Sequence, residues 1–492
     1  MKKQKSLKLN FIMNALLTMS SFIFPLITFP YVSRILLPVG TGKVSFATSI
    51  ISYFSMFAQL GIPMYGIRAC AKVRDNKEEL TRTAHELLFI NLVMDIVIYA
   101  VLFIVLLFVH RLHEDRTLYL IISLTIILTS IGMEWLYKAL EQYTYITIRS
   151  IIFKFVSLIA MFLLIHKQED YIIYGGITIL AASASNILNF INARKFIGFK
   201  PVGNYNYRRH IKPVVVFFAM SCATTIYLHL DTVMLGFIST EADVGYYDAA
   251  IKIRKVLLSI ITSLGTVLLP RTSYYVEHGL ISEFRRITNK ALTFVFLLAM
   301  PMTVFFVVFA QESVFLLSGK VFAGSILPMQ IIMPTLFFAG ITNITGVQML
   351  VPLGRENVVL YSEIAGAVVD IIINAILIPQ YGSVGAAIGT LAAEIVVLIV
   401  QYCALRNDVK SSFLSLHYAK VAVTLVLSIL ASIWVKKLAL GNFFTLLISA
   451  TLFFGVYGLF MLLTREPMVV EIMNYSKIQC FKILGRRSND VK

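Results

Sequence analysis

Apolar residues in this chain gather into long runs broken by short polar or basic segments. The runs fall near 10–37, 44–66, 87–109, 117–138, 147–165, 172–192, 213–238, 244–270, 290–311, 324–350, 357–378, 383–405, 417–435 and 443–463. At about 1.5 Å per helical residue, each is long enough to cross roughly 30 Å of hydrocarbon. In lipid, only helices and closed barrels pair all their backbone polar groups, and runs this long are not barrel strands. The pattern therefore predicts an all-α integral membrane protein with about fourteen transmembrane helices. Composition agrees: 58% of the 492 residues are hydrophobic and 14% charged, against about a quarter charged in soluble domains. The opening stretch has the basic-then-apolar order of a secretion signal. Its apolar part is too long and no small-residue cleavage site follows, so a retained first span is expected.

Charge decides orientation. The net charge of +17 sits in short clusters between spans, not in a basic domain or an aromatic-interleaved platform, which argues against a nucleic-acid partner. Counting the connecting segments, one side carries roughly thirty Lys and Arg and the other roughly eight, so the rule that basic loops stay inside places both termini in the cytoplasm. Segments 67–86 (Arg68, Lys72, Arg74, Lys77, Arg82) and 193–212 (Arg194, Lys195, Lys200, Arg208, Arg209, Lys212) lie on that inner side. The outer connections are short and leave no room for a catalytic domain, so the chain is not expected to be an enzyme. The four cysteines (Cys70, Cys222, Cys403, Cys480) are far apart and imply neither a disulfide nor a zinc framework.

An internal repeat organises the spans. GKVSFATSI (42–50) and GYYDAAIKI (245–253) share Gly, then Ala five residues on, then Ile three later. Each opens a span after a short outer connection, as expected if spans 1–6 and 7–12 are two copies. An even number of helices per copy gives parallel repeats, a transporter arrangement with the substrate path between lobes. The expected division is an amino-terminal lobe with its cytoplasmic linker (1–212), a second lobe (213–405), two further spans (406–463) and a basic cytoplasmic tail (464–492).

Candidate chemistry lies in charges at membrane depth, each of which costs a few kcal/mol unless it faces a cavity or a partner. LPVGTGKVSF (37–46) lacks the Gly and the Ser/Thr of a phosphate-binding loop and is set aside. Asp248, Lys252 and Lys255 share one helix face by their spacings, with Arg254 pointing elsewhere. Arg149 and Lys154 enter from the inner side and Arg34 ends the first span. These cations together are expected to line a path, although Asp248 and Lys252 also form a self-satisfying pair and Arg149 also suits an interfacial anchor. An acidic set occupies the later spans: Asp231, Asp370, Asn374 and Thr390, all counted into the outer half of the bilayer, with Glu363 and Glu394 as further candidates. Oxygen ligands at matching depth suit a small hard cation or a shared proton; a structural hydrogen-bond network is the competing reading.

Several stretches resemble the polysaccharide transporter family, the Wzx-type flippases. GMEWLYKALEQYTYITIRSIIFK (132–154) is similar to its signature after the fourth helix. LDTVMLGFISTEADVGYYDAAIKI (230–253) with VLLPRTS (267–273) is similar to its helix 7–8 block. QMLVPLGRENVV (348–359) with NAILIPQYGSVGAAIGTLAAE (374–394) is similar to its helix 11–12 block, and FPYVSRILLPVGTGKVSFATSI (29–50) to its opening. Order and spacing are kept over roughly 5–465; Ala139 departs where the family often has Gly, which bears on local packing alone. The resemblance implies the multidrug/oligosaccharidyl-lipid/polysaccharide superfamily and a V-shaped two-lobed fold. It implies as cargo an oligosaccharide repeat unit on undecaprenyl pyrophosphate, moved from the inner to the outer leaflet of the bacterial cytoplasmic membrane for capsule, O-antigen or teichuronic-type polymers. A polymerase and glycosyltransferases are the expected protein partners, and membrane lipids surround the chain. No cofactor is expected beyond a coupling cation, Na⁺ or H⁺. A multidrug exporter of the same superfamily is the alternative, as is an exporter of another lipid precursor. Intramembrane cations at 154, 252, 254, 255 and 420 argue against a cavity built for cationic drugs.

Overall fold

A computed structural model describes residues 7–414, 417–438, 440–471 and 473. Most of the basic tail expected at 464–492, including Cys480, lies outside the described residues. α1 (Leu7–Gln59) carries two of the expected spans in one stretch. At Leu37 the backbone turns to φ 58° and ψ 179°, and helical geometry resumes at once. The connection expected over 38–43 is therefore corrected to a one-residue kink. Its cause is Pro38: proline at a first helical position has its φ preset, and its missing N–H is one the helix start leaves unused.

The chain continues through α2 (Ile62–Lys72), α3 (Lys77–Phe108), α4 (Arg116–Gly132), α5 (Glu134–Ala139) and α6 (Tyr143–Leu164). α7 (Tyr171–Ile179) passes through a π-helical turn, Leu180–Ala184, into α8 (Asn186–Ala193). Then come α9 (Arg208–Ile238), α10 (Glu241–Glu277), α11 (Ile281–Val308), α12 (Ala310–Ser318), α13 (Ile326–Ile332) and α14 (Thr335–Thr342). α15 (Glu356–Tyr381), α16 (Ser383–Leu414), α17 (Tyr418–Ile433) and α18 (Asn442–Leu463) complete the order. Among the described residues, eleven helices are long and apolar enough to cross a membrane, or thirteen if each of two bent pairs is one span. The first stretch, Ile12–Lys72, has 61 residues. At about 1.5 Å each it is roughly 90 Å long, too long for a single crossing of about 30 Å; divided at the Leu37 kink it accounts for two of the expected spans, so the described residues are consistent with about fourteen. The bent pairs turn by 42° and 44°, with Gly265 and Pro334 at the breaks, the residues at which helices ordinarily kink.

The chain forms two compact units. The first holds the chain up to Lys252 with Leu317–Gly324 and Ile373–Ala386. In it, α1 is the hub and packs against α3, α4, α6, α7 and α9. The second holds Ile253–Leu316, Ser325–Ile372 and the chain from Ala387 onward. Its hub is α11, which meets α13, α14, α17 and α18 through an aromatic core of Phe296, Phe305, Phe309, Phe453 and Tyr457.

The two repeat glycines meet each other's segments. A Cβ at Gly42 would stand 1.8 Å from the Glu241 carbonyl oxygen, and one at Gly245 would stand 2.1 Å from the Pro38 carbonyl oxygen. The two matching segments thus make reciprocal backbone approaches too close for any residue but glycine.

Candidate functional site

The first unit holds an open cavity of about 590 Å³ among its membrane-length helices. The sequence aims its walls inward by helical spacing. Along α1, Asn14, Leu17, Thr18, Ser21, Phe24, Pro25 and Thr28 line it. They recur at intervals of three and four, while Ile12, Leu16, Met19, Ile23 and Ile27 form the exposed, lipid-facing stripe. Along α6, Ser150, Lys154 and Met161 face the cavity, whereas Ile152, Phe155 and Ile159 are exposed on the opposite side. Glu134 and Lys138 of α5 close one end, and Tyr174 and Thr178 of α7 with Ala181 of the π turn form the remaining wall.

Three ammonium groups converge here: Lys138, Lys154 and Lys252. Their partners differ. Lys138 bonds Glu134 one turn away at 2.8 Å. Lys252 pairs with Asp248 on its own helix and lies over the Phe29 ring, 3.7 Å from its centroid. Lys154 donates to Ser20 Oγ at 2.7 Å and Ser21 Oγ at 3.0 Å, both neutral hydroxyls that solvate its charge without cancelling it. Arg149 does not line the cavity. Its guanidinium is buried, donating to Asn186 Oδ1 at 2.8 Å and standing 3.5 Å from Glu134. Arg34 also lies elsewhere in this unit, donating to the carbonyls of Pro30 and Leu317.

A second cavity, of about 280 Å³ and with several hydroxyls in its wall, also belongs to the first unit. Thr48, Ser52, Ser55, Thr125, Ser221 and Thr225 line it with Gln59 and His229. Gln59 donates to Ser130 at 2.7 Å, and Ser130 donates to the buried Asp95 at 3.0 Å.

The acidic set divides between the units. In the first, Asp231 is buried and accepts from the Tyr247 hydroxyl and from Asn374 Nδ2, the latter at 2.7 Å. Asp370 and Thr390 are buried in the second unit. That unit also contains the exposed Lys255 and a buried ion pair, in which Arg254 donates to Glu394 at 2.5 Å and to Thr335 Oγ1 at 2.5 Å. Of the six expected path cations, the cavity thus gathers Lys154 and Lys252. Sequence reasoning missed Lys138 and Glu134, whose four-residue spacing marks a helix pair but not the direction it faces. It also missed Asn186 and Tyr247, which carry no charge to draw attention.

Residues 7–276, more than half the chain, match the family model described as polysaccharide biosynthesis protein. A relative from Escherichia coli named "Putative O-antigen transporter" is 24% identical over 405 residues, covering 82% of this chain and 97% of that one. Among solved structures, lipid II flippase MurJ in its inward closed conformation matches with a TM-score of 0.70 at 16% identity, over 92% of this chain and 99% of that one. An inward-facing multidrug resistance MATE family transporter matches with a TM-score of 0.63 at 14% identity, over 82% of this chain and 99% of that one. Both structures bear on the fold alone.

Proposed function

The chain belongs to the polysaccharide biosynthesis protein family, the Wzx-type flippases of the multidrug/oligosaccharidyl-lipid/polysaccharide superfamily, and we propose that its cargo is an oligosaccharide repeat unit on undecaprenyl pyrophosphate. As a multi-pass membrane transporter of lipid-linked polysaccharide units it moves its cargo without changing it chemically. The observation that carries the finer reading is the convergence of Lys138, Lys154 and Lys252 on one cavity between membrane-spanning helices. A pyrophosphate leaving water loses its hydration and needs fixed cations in compensation. Lys154, solvated only by hydroxyls, supplies charge that its own contacts leave available. The hydroxyl-lined cavity offers neutral donors and acceptors of the kind that suit sugars, and contributes no excess charge.

Direction follows from loop charge. With the basic segments and both termini inside a bacterial cytoplasmic membrane, the cargo enters from the leaflet where glycosyltransferases complete it. It leaves where a polymerase consumes it for surface polysaccharide. Asp231, held by Tyr247 and Asn374, is the acid of the first unit through which Na⁺ or H⁺ drives the cycle, while Asp370 and Thr390 serve coupling from the second. A ligand shifts a conformational equilibrium only by its differential affinity for the two states, so Asp231→Asn is expected to remove the dependence of rate on an imposed ion gradient.

The cargo is tested by depleting the protein in its host and extracting lipids. A pyrophosphate-linked oligosaccharide of complete repeat composition should accumulate, accessible to enzymes from the cytoplasmic side only. Accumulation of a peptide-bearing cell-wall precursor instead would assign the chain to another lipid precursor and overturn this reading.

A further inference from the structure

On its lipid-facing side, the seam between α1 and α6 opens as a groove of about 240 Å³. Leu16, Met19, Ile23 and Ile27 form one wall, Ile151 and Phe155 the other. Its two polar members are Ser20 and Lys154. Lys154 and Phe24 line both this groove and the lysine-lined cavity. The Lys154 ammonium donates to Ser20 on the groove side and to Ser21 on the cavity side, so one cation stands at the partition between an apolar slot and a polar chamber.

A lipid-linked sugar poses a topological problem: its head must cross in a polar chamber while its chain stays in hydrocarbon. The chamber wall must therefore contain a seam that is apolar outside and cationic at its inner edge. We propose that the seam between α1 and α6 is that slot, holding the isoprenoid chain of the cargo while the head group occupies the cavity, a reading that rests on the lipid-linked cargo named above. Depth identifies the occupant. Lys154 is the twelfth residue of α6, about 16 Å from the helix start and near the middle of a hydrocarbon layer about 30 Å thick. A resident phospholipid keeps its phosphate at the interface and does not bring it to this level. An amphiphile caught midway in crossing does. Leu16 to Ile27 cover about 16 Å along α1 at 1.5 Å per residue, which gives the chain a bed reaching to either side of that phosphate.

The test uses the full chain in proteoliposomes with a photoactivatable polyprenyl pyrophosphate, its crosslinker near the head, and peptide mapping of the labelled sites. Labelling should concentrate at least fivefold on 16–27 and 151–158 over a photoactivatable phosphatidylcholine in the same vesicles. Lys154→Met should bring it down to the level given by the uncharged polyprenol. Ile23→Trp and Ile151→Trp fill the slot and should each slow head-group translocation at least fivefold, whereas Ile159→Trp, equally lipid-facing but outside the slot, should leave it unchanged. Pyrophosphate-dependent labelling elsewhere, with wild-type rates in both slot-filling variants, overturns the slot and leaves the cargo reading standing. Labelling by polyprenyl pyrophosphate no different from phosphatidylcholine at every position overturns both.

Discussion

Replacing Lys154 with methionine separates a cargo-binding charge from a packing one. The side chain keeps its unbranched stem and loses its ammonium. In the folded protein two opposing terms change. A lysine at the centre of a membrane helix costs about 3 kcal/mol on insertion scales, which Met removes. The hydrogen bonds to Ser20 and Ser21, 2.7 and 3.0 Å long, are each worth about 1.5–3 kcal/mol as bonds from a charged donor, and Met loses both. Losing both bonds outweighs the insertion term by at most about 3 kcal/mol, so thermal stability in detergent should fall modestly without collapse. Transport has no such compensation. A unit charge 4 Å from a phosphate oxygen contributes about 1 kcal/mol in water and about 4 kcal/mol at an effective dielectric of 20. At 1.36 kcal/mol per decade, flipping at limiting cargo should fall by between about fivefold and a thousandfold. Lys154→Arg retains charge with different geometry and should fall between Met and wild type. The assay pairs a melting curve of purified protein with cargo translocation in proteoliposomes. Wild-type translocation in Lys154→Met, or a loss matched by collapse of the melting curve, would refute the argument.

Arg254→Ala should behave oppositely: stranding the buried Glu394 costs about 3–5 kcal/mol, read as a large fall in melting temperature, and the double variant Arg254→Met/Glu394→Met should recover most of it. Gly42→Val should impair folding or insertion, because its Cβ would overlap the Glu241 carbonyl; normal yield and melting would show that the contact is not constraining. Cysteines at Lys77 and Arg208 should react with an impermeant thiol reagent only after cells are opened, and labelling from outside intact cells would reverse the orientation and the export direction.

The spans were legible because the bilayer imposes one length on every crossing helix, so a plain reading of apolar runs finds them. Their joints were less so. The turn at Leu37 looks like a loop in sequence because Pro38 and Gly40 read as breakers, yet proline one residue into a helix is a starter. Cations at depth could be enumerated from the sequence, but not their partners. Arg254 and Glu394 are 140 residues apart, Arg149 and Asn186 37 apart, and nothing local distinguishes a neutralised guanidinium from the ammonium of Lys154. Asp231 and Asn374, grouped by depth counting, meet across 143 residues, while Asp370, one turn from Asn374, lies in the other unit. Gly42 and Gly245 were visible as a shared pattern; that each clears space for the backbone beside the other belongs to the third dimension.

Whether this chain carries a pyrophosphate-linked oligosaccharide across a bilayer is decided by leaflet-resolved translocation. Purified protein is reconstituted into vesicles holding an undecaprenyl-pyrophosphate oligosaccharide with a fluorescent sugar, and the fraction quenched by an impermeant reductant is followed over time. Protein-bearing vesicles should move label between leaflets at least tenfold faster than empty ones, and Lys154→Met should abolish most of the difference. Equal rates in protein-bearing and empty vesicles under every imposed ion gradient, from protein shown to be folded, would contradict the cargo reading.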